Sequence, residues 1–274
     1  MTPCQTRGLP RRTSSRTSLA VSIAVLVGGL SAAVCAAPGA AGDGAHLVAA
    51  PGDNLSGLVV TIDPGHNGRN GAHPDQINQQ VSIGNGETKE CDTAGTETES
   101  GYTEAAYNLD VALKLRRLLE DAGAKVVMTR DDNRGVGPCI DERAEIGNEA
   151  KSDAVVSIHA DGGPPGGRGF HIIHPTRIKG LTDDIYGASK RLALDLRDAF
   201  GRVTGLPRSN YIGQNGLDER SDLGGLRLSD VPKVFIETGN MRNGADAKKL
   251  ESKRFRARIA KGIYAGLTRF LRSG

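Results

Sequence analysis

The chain has 274 residues, 38% apolar and 24% charged, with 37 glycines, five Phe, five Tyr and no Trp. This is an ordinary globular composition that implies many backbone turns and a core of Val, Ile, Leu and Ala. The formal charge of +3 belongs to the N-terminus: residues 1–42 hold Arg7, Arg11, Arg12 and Arg16 and no acid, and setting those four aside leaves 31 bases against 32 acids. A body so near neutrality argues against nucleic-acid binding, which relies on neutralising phosphates, and its length needs only one sizeable core.

In chain order, Arg7 to Arg16 form a basic start, and residues 19–30 (LAVSIAVLVGGL) are an apolar run of signal-peptide length, too short for a comfortable bilayer span. Small residues follow. Residues 1–37 therefore read as a secretory signal peptide, which leaves no stable membrane anchor once cleaved and places the mature protein outside the cytoplasm, in the periplasmic or cell-wall space. An uncleaved anchor is the alternative. A lipoprotein signal at Cys35 is disfavoured by bulky Val34, and a twin-arginine signal at Arg11-Arg12 by its flanks. Residues 38–56, rich in Ala, Gly, Pro and Asp, read as a linker, and residues 57–274 as one domain.

Residues 58–62 (LVVTI) have the composition of a buried strand. Residues 67–103 are polar and Gly-rich and read as a long surface excursion, with a hairpin around Gly84-Asn85-Gly86. Tyr107, Val111, Leu115 and Leu118 then recur at helical spacing over residues 104–121, with Thr103 as N-cap and Gly123 as the stop. A strand at 125–129, a helix at 140–151 and a strand at 154–158 follow. After the flexible-looking DGGPPGGRG of residues 161–169 come a strand at 170–173, a helix over 182–200, a strand at 233–236 and a helix over 247–271. Strands alternating with helices predict a three-layer α/β sandwich with a largely parallel or mixed sheet.

Two of the four cysteines, Cys4 and Cys35, lie in the signal region. The remaining Cys91 and Cys139 have one internal pairing open to them in an oxidising compartment, and a disulfide there would stabilise by roughly 3–4 kcal/mol. Two free thiols are the alternative. A cysteine metal site is disfavoured because no C-x-x-C spacing is present.

Three polar residues occupy equivalent places at strand ends: His66 after LVVTIDPG, His159 after AVVSI, and Glu237 after KVFI. Ligands of open α/β sheets bind outside the carboxyl ends of the strands. Two imidazoles and a carboxylate there suit Zn²⁺ with a position left for water, and placement alone nominates Glu237 as the third ligand. His46 and His73 lie in linker and loop, and His171 and His174, flanking an alternating strand, read as surface residues. Glu104 has a plain explanation, since acids favour the first helical turn, and Glu87, Glu90, Glu97 and Glu99 lie nearby.

A further pattern runs through these segments. Val60-Thr61-Ile62-Asp63-Pro64-Gly65-His66-Asn67-Gly68 is followed by Thr103-Glu104-Ala105-Ala106-Tyr107-Asn108-Leu109, Met128-Thr129-Arg130-Asp131 and Ser157-Ile158-His159-Ala160-Asp161. Leu226-Arg227-Leu228 and the stretch from Val231 to Met241 complete it. Together, from about residue 58 to the C-terminus, they resemble the zinc-dependent N-acetylmuramoyl-L-alanine amidases of the amidase 3 family, most of all its short, single-domain exported mycobacterial type.

The resemblance implies that His66, Glu104 and His159 hold Zn²⁺ and that Glu237 is the catalytic glutamate, in place of the assignment from position alone. It implies hydrolysis of the amide between N-acetylmuramic acid and the stem peptide's L-alanine, in peptidoglycan or muropeptide fragments; the catalytic domain over 57–274 is taken as a monomer by default. One departure is Asn240, where the family usually has an apolar aromatic, and it bears on pocket shape. Asp63 and Asp161 are candidates for orienting the ligand histidines, and Arg227 for meeting a stem-peptide carboxylate. Two other readings stay open: a noncatalytic wall-binding or regulatory protein on the same fold, and a zinc peptidase acting on other peptides.

Overall fold

The structure, a computed structural model, describes residues 54–273. The expected signal peptide and all of the expected linker up to residue 53 lie outside the described residues. In chain order the elements are β1 (Val59–Pro64), a 3₁₀ turn at Asn70–Ala72, α1 (Pro74–Ile77), β2 (Gln80–Ser82), β3 (Thr88–Glu90), α2 (Glu104–Asp121), β4 (Lys125–Met128) and α3 (Ile140–Glu149). Then come β5 (Ala154–Asp161), β6 (His171–Pro175), α4 (Tyr186–Thr204), β7 (Leu217–Arg220), α5 (Gly224–Arg227), β8 (Lys233–Asn240), α6 (Gly244–Leu250) and α7 (Lys253–Leu271).

Six strands form one mixed sheet in the order β4-β1-β5-β8-β6-β7. The first four run parallel, β6 pairs antiparallel to β8, and β7 runs parallel to β6. This is the predicted α/β class. The two faces of the sheet differ chemically. Val60, Ile62, Val156, Ile158, Ile172, Val234 and Ile236 point to one side and pack with α2, α4 and α7 into a single apolar core. The alternate residues Thr61, Asp63, Ser157 and Lys233 are buried polar groups on the other side, where α3 and α5 lie: Gly147 of α3 abuts Val155, and Gly225 of α5 abuts Phe235. A strand's period of two delivers this division.

α2 begins and ends as its sequence indicates. Thr103 occupies the N-cap without a side-chain hydrogen bond; instead the amide of Glu104 donates to Thr96 O at 2.8 Å. Gly123, at φ +91°, turns the chain toward β4. The helix predicted over 247–271 is two helices, because Ser252 accepts from the Phe255 amide and caps α7. The excursion over 67–103 is better organised than its composition suggests. β2 and β3 pair as the expected hairpin, and Asn67, Asn70, Ile77, Ile83 and Asp92 are buried. The Cys91–Cys139 disulfide fastens the segment to the N-terminus of α3. His171 and His174, read from sequence as surface residues, are buried: β6 is an interior strand, with His174 beside Tyr186 of α4 on one face and His171 beside Tyr211 on the other. Among the described residues no helix is long and apolar enough to cross a membrane.

Candidate metal centre

The site is assembled at the carboxyl edge of the sheet. β1 ends in Pro64, and the chain turns through Gly65 into His66, which has φ +59°. That left-handed conformation is uncommon outside glycine and costs backbone energy that surrounding contacts must offset. Those contacts are present. His66 Nδ1 lies 3.1 Å from Thr93 O and 3.3 Å from Asp92 Oδ1, while Arg143 Nη2 donates to the His66 carbonyl at 3.0 Å. With Nδ1 engaged, Nε2 faces the site.

Glu104 arrives as the first residue of α2, and His159 from β5. His66 Nε2 is 3.2 Å from Glu104 Oε2, and His159 Nδ1 is 2.9 Å from Glu104 Oε1. One ligand atom from each of the three residues lies within 4.8 Å of the others. Bonds of about 2.0–2.1 Å around a tetrahedral zinc ion place ligand atoms roughly 3.3 Å apart, so the donor set and its spacing fit such an ion. The imidazoles meet edge to face at 4.9 Å, and His159 stacks on Phe235 at 5.3 Å. Two glycines make room: a Cβ at Gly65 would lie 2.0 Å from the His159 ring, and one at Gly95 2.8 Å from the His66 ring.

Electrostatics follow from burial and proximity. Burial works against a charged His66, but Glu104 and Asp92 overcome it and raise its pKa to about 10. Glu104 is held well below the usual carboxylate range despite burial, by His66 and His159. The cluster thus favours positive charge between its imidazoles and its carboxylate, which is what a bound cation would supply. Glu237 is driven the opposite way, well above the usual range, by burial and by the negative charges of Glu104 and Asp161. It sits on β8 in register with His159, so both side chains leave the sheet on one face. Its Oε2 is shielded from solvent and has no hydrogen-bond partner among the described residues.

The other sequence candidates have different partners. Asp63 bonds neither ligand histidine: it accepts from Arg143, Thr129 and Ser157, each at 2.8 Å, with Lys233 Nζ at 3.6 Å. It reaches the site only through Arg143, which also holds Asp92 at 3.1 Å. The orienting carboxylate is Asp92, which sequence reasoning missed. Its signal was indirect, since it follows Cys91, whose partner Cys139 precedes Arg143 by one helical turn. Asp161 accepts from Tyr211 Oη at 2.8 Å and acts on the site through its charge near Glu237. Arg227 is buried and donates to Ile83 O, Gly84 O, Ser221 O and Glu87, which ties the β2–β3 hairpin to α5. Asn240, the departure noted in the sequence, donates to Pro164 O and Gly167 O. With Asp246 accepting from the Gly169 amide, it pins the glycine-rich stretch that composition alone made a flexible rim.

Comparison with known proteins agrees with this geometry. Residues 60–269 match the family model Amidase_3, described as N-acetylmuramoyl-L-alanine amidase. The chain is 43% identical over 218 residues to N-acetylmuramoyl-L-alanine amidase Rv3717 of Mycobacterium tuberculosis, covering 80% of this chain and 88% of that one. It is 28% identical to the probable amidase AmiB of Haemophilus influenzae, where the match spans 52% of the relative. Among solved structures, the amidase Ami1 of Mycobacterium smegmatis superposes with a TM-score of 0.75 at 41% identity, over 81% of this chain and all of that one. The apo form of Ami1 from Mycobacterium abscessus gives 0.74 at 43% identity, over 79% of this chain and all of that one.

Proposed function

The chain belongs to the Amidase_3 family of N-acetylmuramoyl-L-alanine amidases, and from that premise we propose that it is a zinc-dependent, exported peptidoglycan amidase. Its substrate is the amide joining the lactyl group of N-acetylmuramic acid to L-alanine of the stem peptide, in the polymer or in soluble muropeptides. The observation that carries this reading is the convergence of His66, Glu104 and His159 beside Glu237, whose Oε2 has no hydrogen-bond partner among the described residues.

His66 through Nε2, His159 through Nδ1 and the Glu104 carboxylate would hold Zn²⁺. When bound, the ion lowers the pKa of a water and polarises the scissile carbonyl. Asp92 and Thr93 fix the His66 ring, and Phe235 and Gly65 fix that of His159. Glu237 takes a proton from the attacking water as its oxygen bonds to the carbonyl carbon. The same proton passes to the leaving nitrogen as the C–N bond breaks, which frees the L-Ala amine.

The disulfide suits an oxidising compartment, in keeping with export directed by residues 1–37 and a monomeric catalytic domain over 57–274. A complete His66–Glu104–His159 set with Glu237 beside it disfavours a noncatalytic wall-binding role. Mass spectrometry of muropeptide digests, with zinc and after chelation, tests the proposal. Intact stem peptides with a free L-Ala amine, lost on chelation, are expected. Cleavage within the peptide instead would favour a zinc peptidase, and no cleavage would defeat the enzymatic reading.

A further inference from the structure

His171 stands directly opposite Glu237 across the antiparallel β6–β8 pair. Opposed residues of such a pair project to the same face with Cβ atoms about 4.5–5.5 Å apart. Glu237 is therefore flanked by His159 on β5 and by His171 on β6, and the cleft-facing row reads His159, Glu237, His171. His171 is 1% exposed, and its Nδ1, like Glu237 Oε2, is shielded from solvent without a hydrogen-bond partner among the described residues. Buried polar atoms left unpaired are uncommon and call for an explanation. Here a donor-capable nitrogen and an acceptor oxygen are left over on two residues that face each other.

Among the described residues the surroundings supply no competing partner. Tyr211 meets the His171 ring edge-on at 6.3 Å, but its hydroxyl is committed to Asp161. The charged groups acting on the imidazole are Asp161, Asp218 and Arg220, and Arg220 is itself paired with Asp222. Burial pushes the His171 pKa below its ordinary value against the pull of the two aspartates, so the ring is neutral and one nitrogen carries a proton.

Resting on the amidase reading, we propose that His171 is a positioning residue for Glu237: the His171 imidazole, as the Nδ1–H tautomer, donates to Glu237 Oε2 through one bridging water. The bond aims the other oxygen, Oε1, at the attacking water. His171 neither gains nor loses a proton in the cycle. Because it is buried, it contributes to turnover and not to substrate binding.

The test has a kinetic and a spectroscopic arm. With an N-acetylmuramoyl peptide as substrate, His171→Phe is expected to lower kcat about tenfold, within the range seen when partners of catalytic groups are removed. KM and zinc content should stay unchanged, and His171→Gln, which keeps an amide donor, should recover most of the loss. Independently of activity, ¹⁵N NMR of the wild-type protein and Glu237→Gln reads the His171 ring directly, and its Nδ1 resonance should move. Wild-type kcat in His171→Phe, a loss that Gln does not rescue, or a His171 resonance indifferent to Glu237→Gln would each overturn the proposal. If the wild-type protein fails to hydrolyse the substrate, the amidase reading fails, while the NMR arm still decides whether the two side chains are paired.

Discussion

Two buried polar clusters lie on the same face of one sheet, beneath β1 and at the β8–β6 edge, and they are satisfied in different ways. Beneath β1, Arg143 donates to Asp63, Asp92 and the carbonyls of Pro64, His66 and Pro138. At the β8–β6 edge, Glu237 Oε2 and His171 Nδ1 have no partners among the described residues. The Arg143 network fixes geometry, because any displacement leaves a buried charge uncompensated, even though Lys233 Nζ, 3.6 Å from Asp63, has no hydrogen-bond partner among the described residues. At the second cluster, the link proposed between the two leftover atoms leaves Glu237 Oε1 for the attacking water. On the proposed reading, the first cluster braces the ligand cage and the second supplies the proton transfer.

Breaking each cluster should therefore damage different properties. Glu237→Ala is expected to cut turnover by at least about 10²–10⁴-fold while zinc remains bound, as judged by steady-state assay and metal analysis. Arg143→Met should do the converse. By stranding Asp63 and Asp92 it should cost about 3–5 kcal/mol in urea unfolding, and zinc affinity should fall with it. Asp92→Asn isolates the link between network and cage, and calorimetric titration should show zinc bound about 10–100-fold more weakly, with a smaller loss of fold stability. The gentlest perturbation is acid. Burial alone would raise the Asp63 pKa, but Lys233 and Arg143 hold it far below the ordinary 3.8. Its contribution to stability is thus present above about pH 4 and lost as pH falls toward the folded value. Unfolding free energy measured from pH 5 down to pH 2 should fall less steeply in Asp63→Asn than in the wild type.

What the sequence revealed depended on how local each signal was. The strands leading to His66, His159 and Glu237 were readable from β-branched runs, and the edge they share followed from parallel α/β topology. Glu104 was not separable by position from other acids nearby, and only the motif resemblance singled it out. Asp92 and Arg143 are 51 residues apart, and no local pattern pairs them. β7 carries a charged sequence, LDER, that no hydrophobic alternation marks. The break at Ser252 was hidden because its cap lies inside an apolar-periodic stretch. His171 and His174 lie outside what alternation can tell, because it locates a strand without saying whether both faces are covered, as α4 and Tyr211 cover them here.

The central claim is that three side chains from distant parts of the chain share one ion. Zinc titration of the purified wild-type protein beside His66→Ala, Glu104→Ala, His159→Ala and Glu237→Ala tests it most directly. One equivalent of Zn²⁺ should bind to the wild type and to Glu237→Ala, and none to the other three at the same concentrations. Wild-type affinity persisting in His159→Ala or Glu104→Ala would contradict the account.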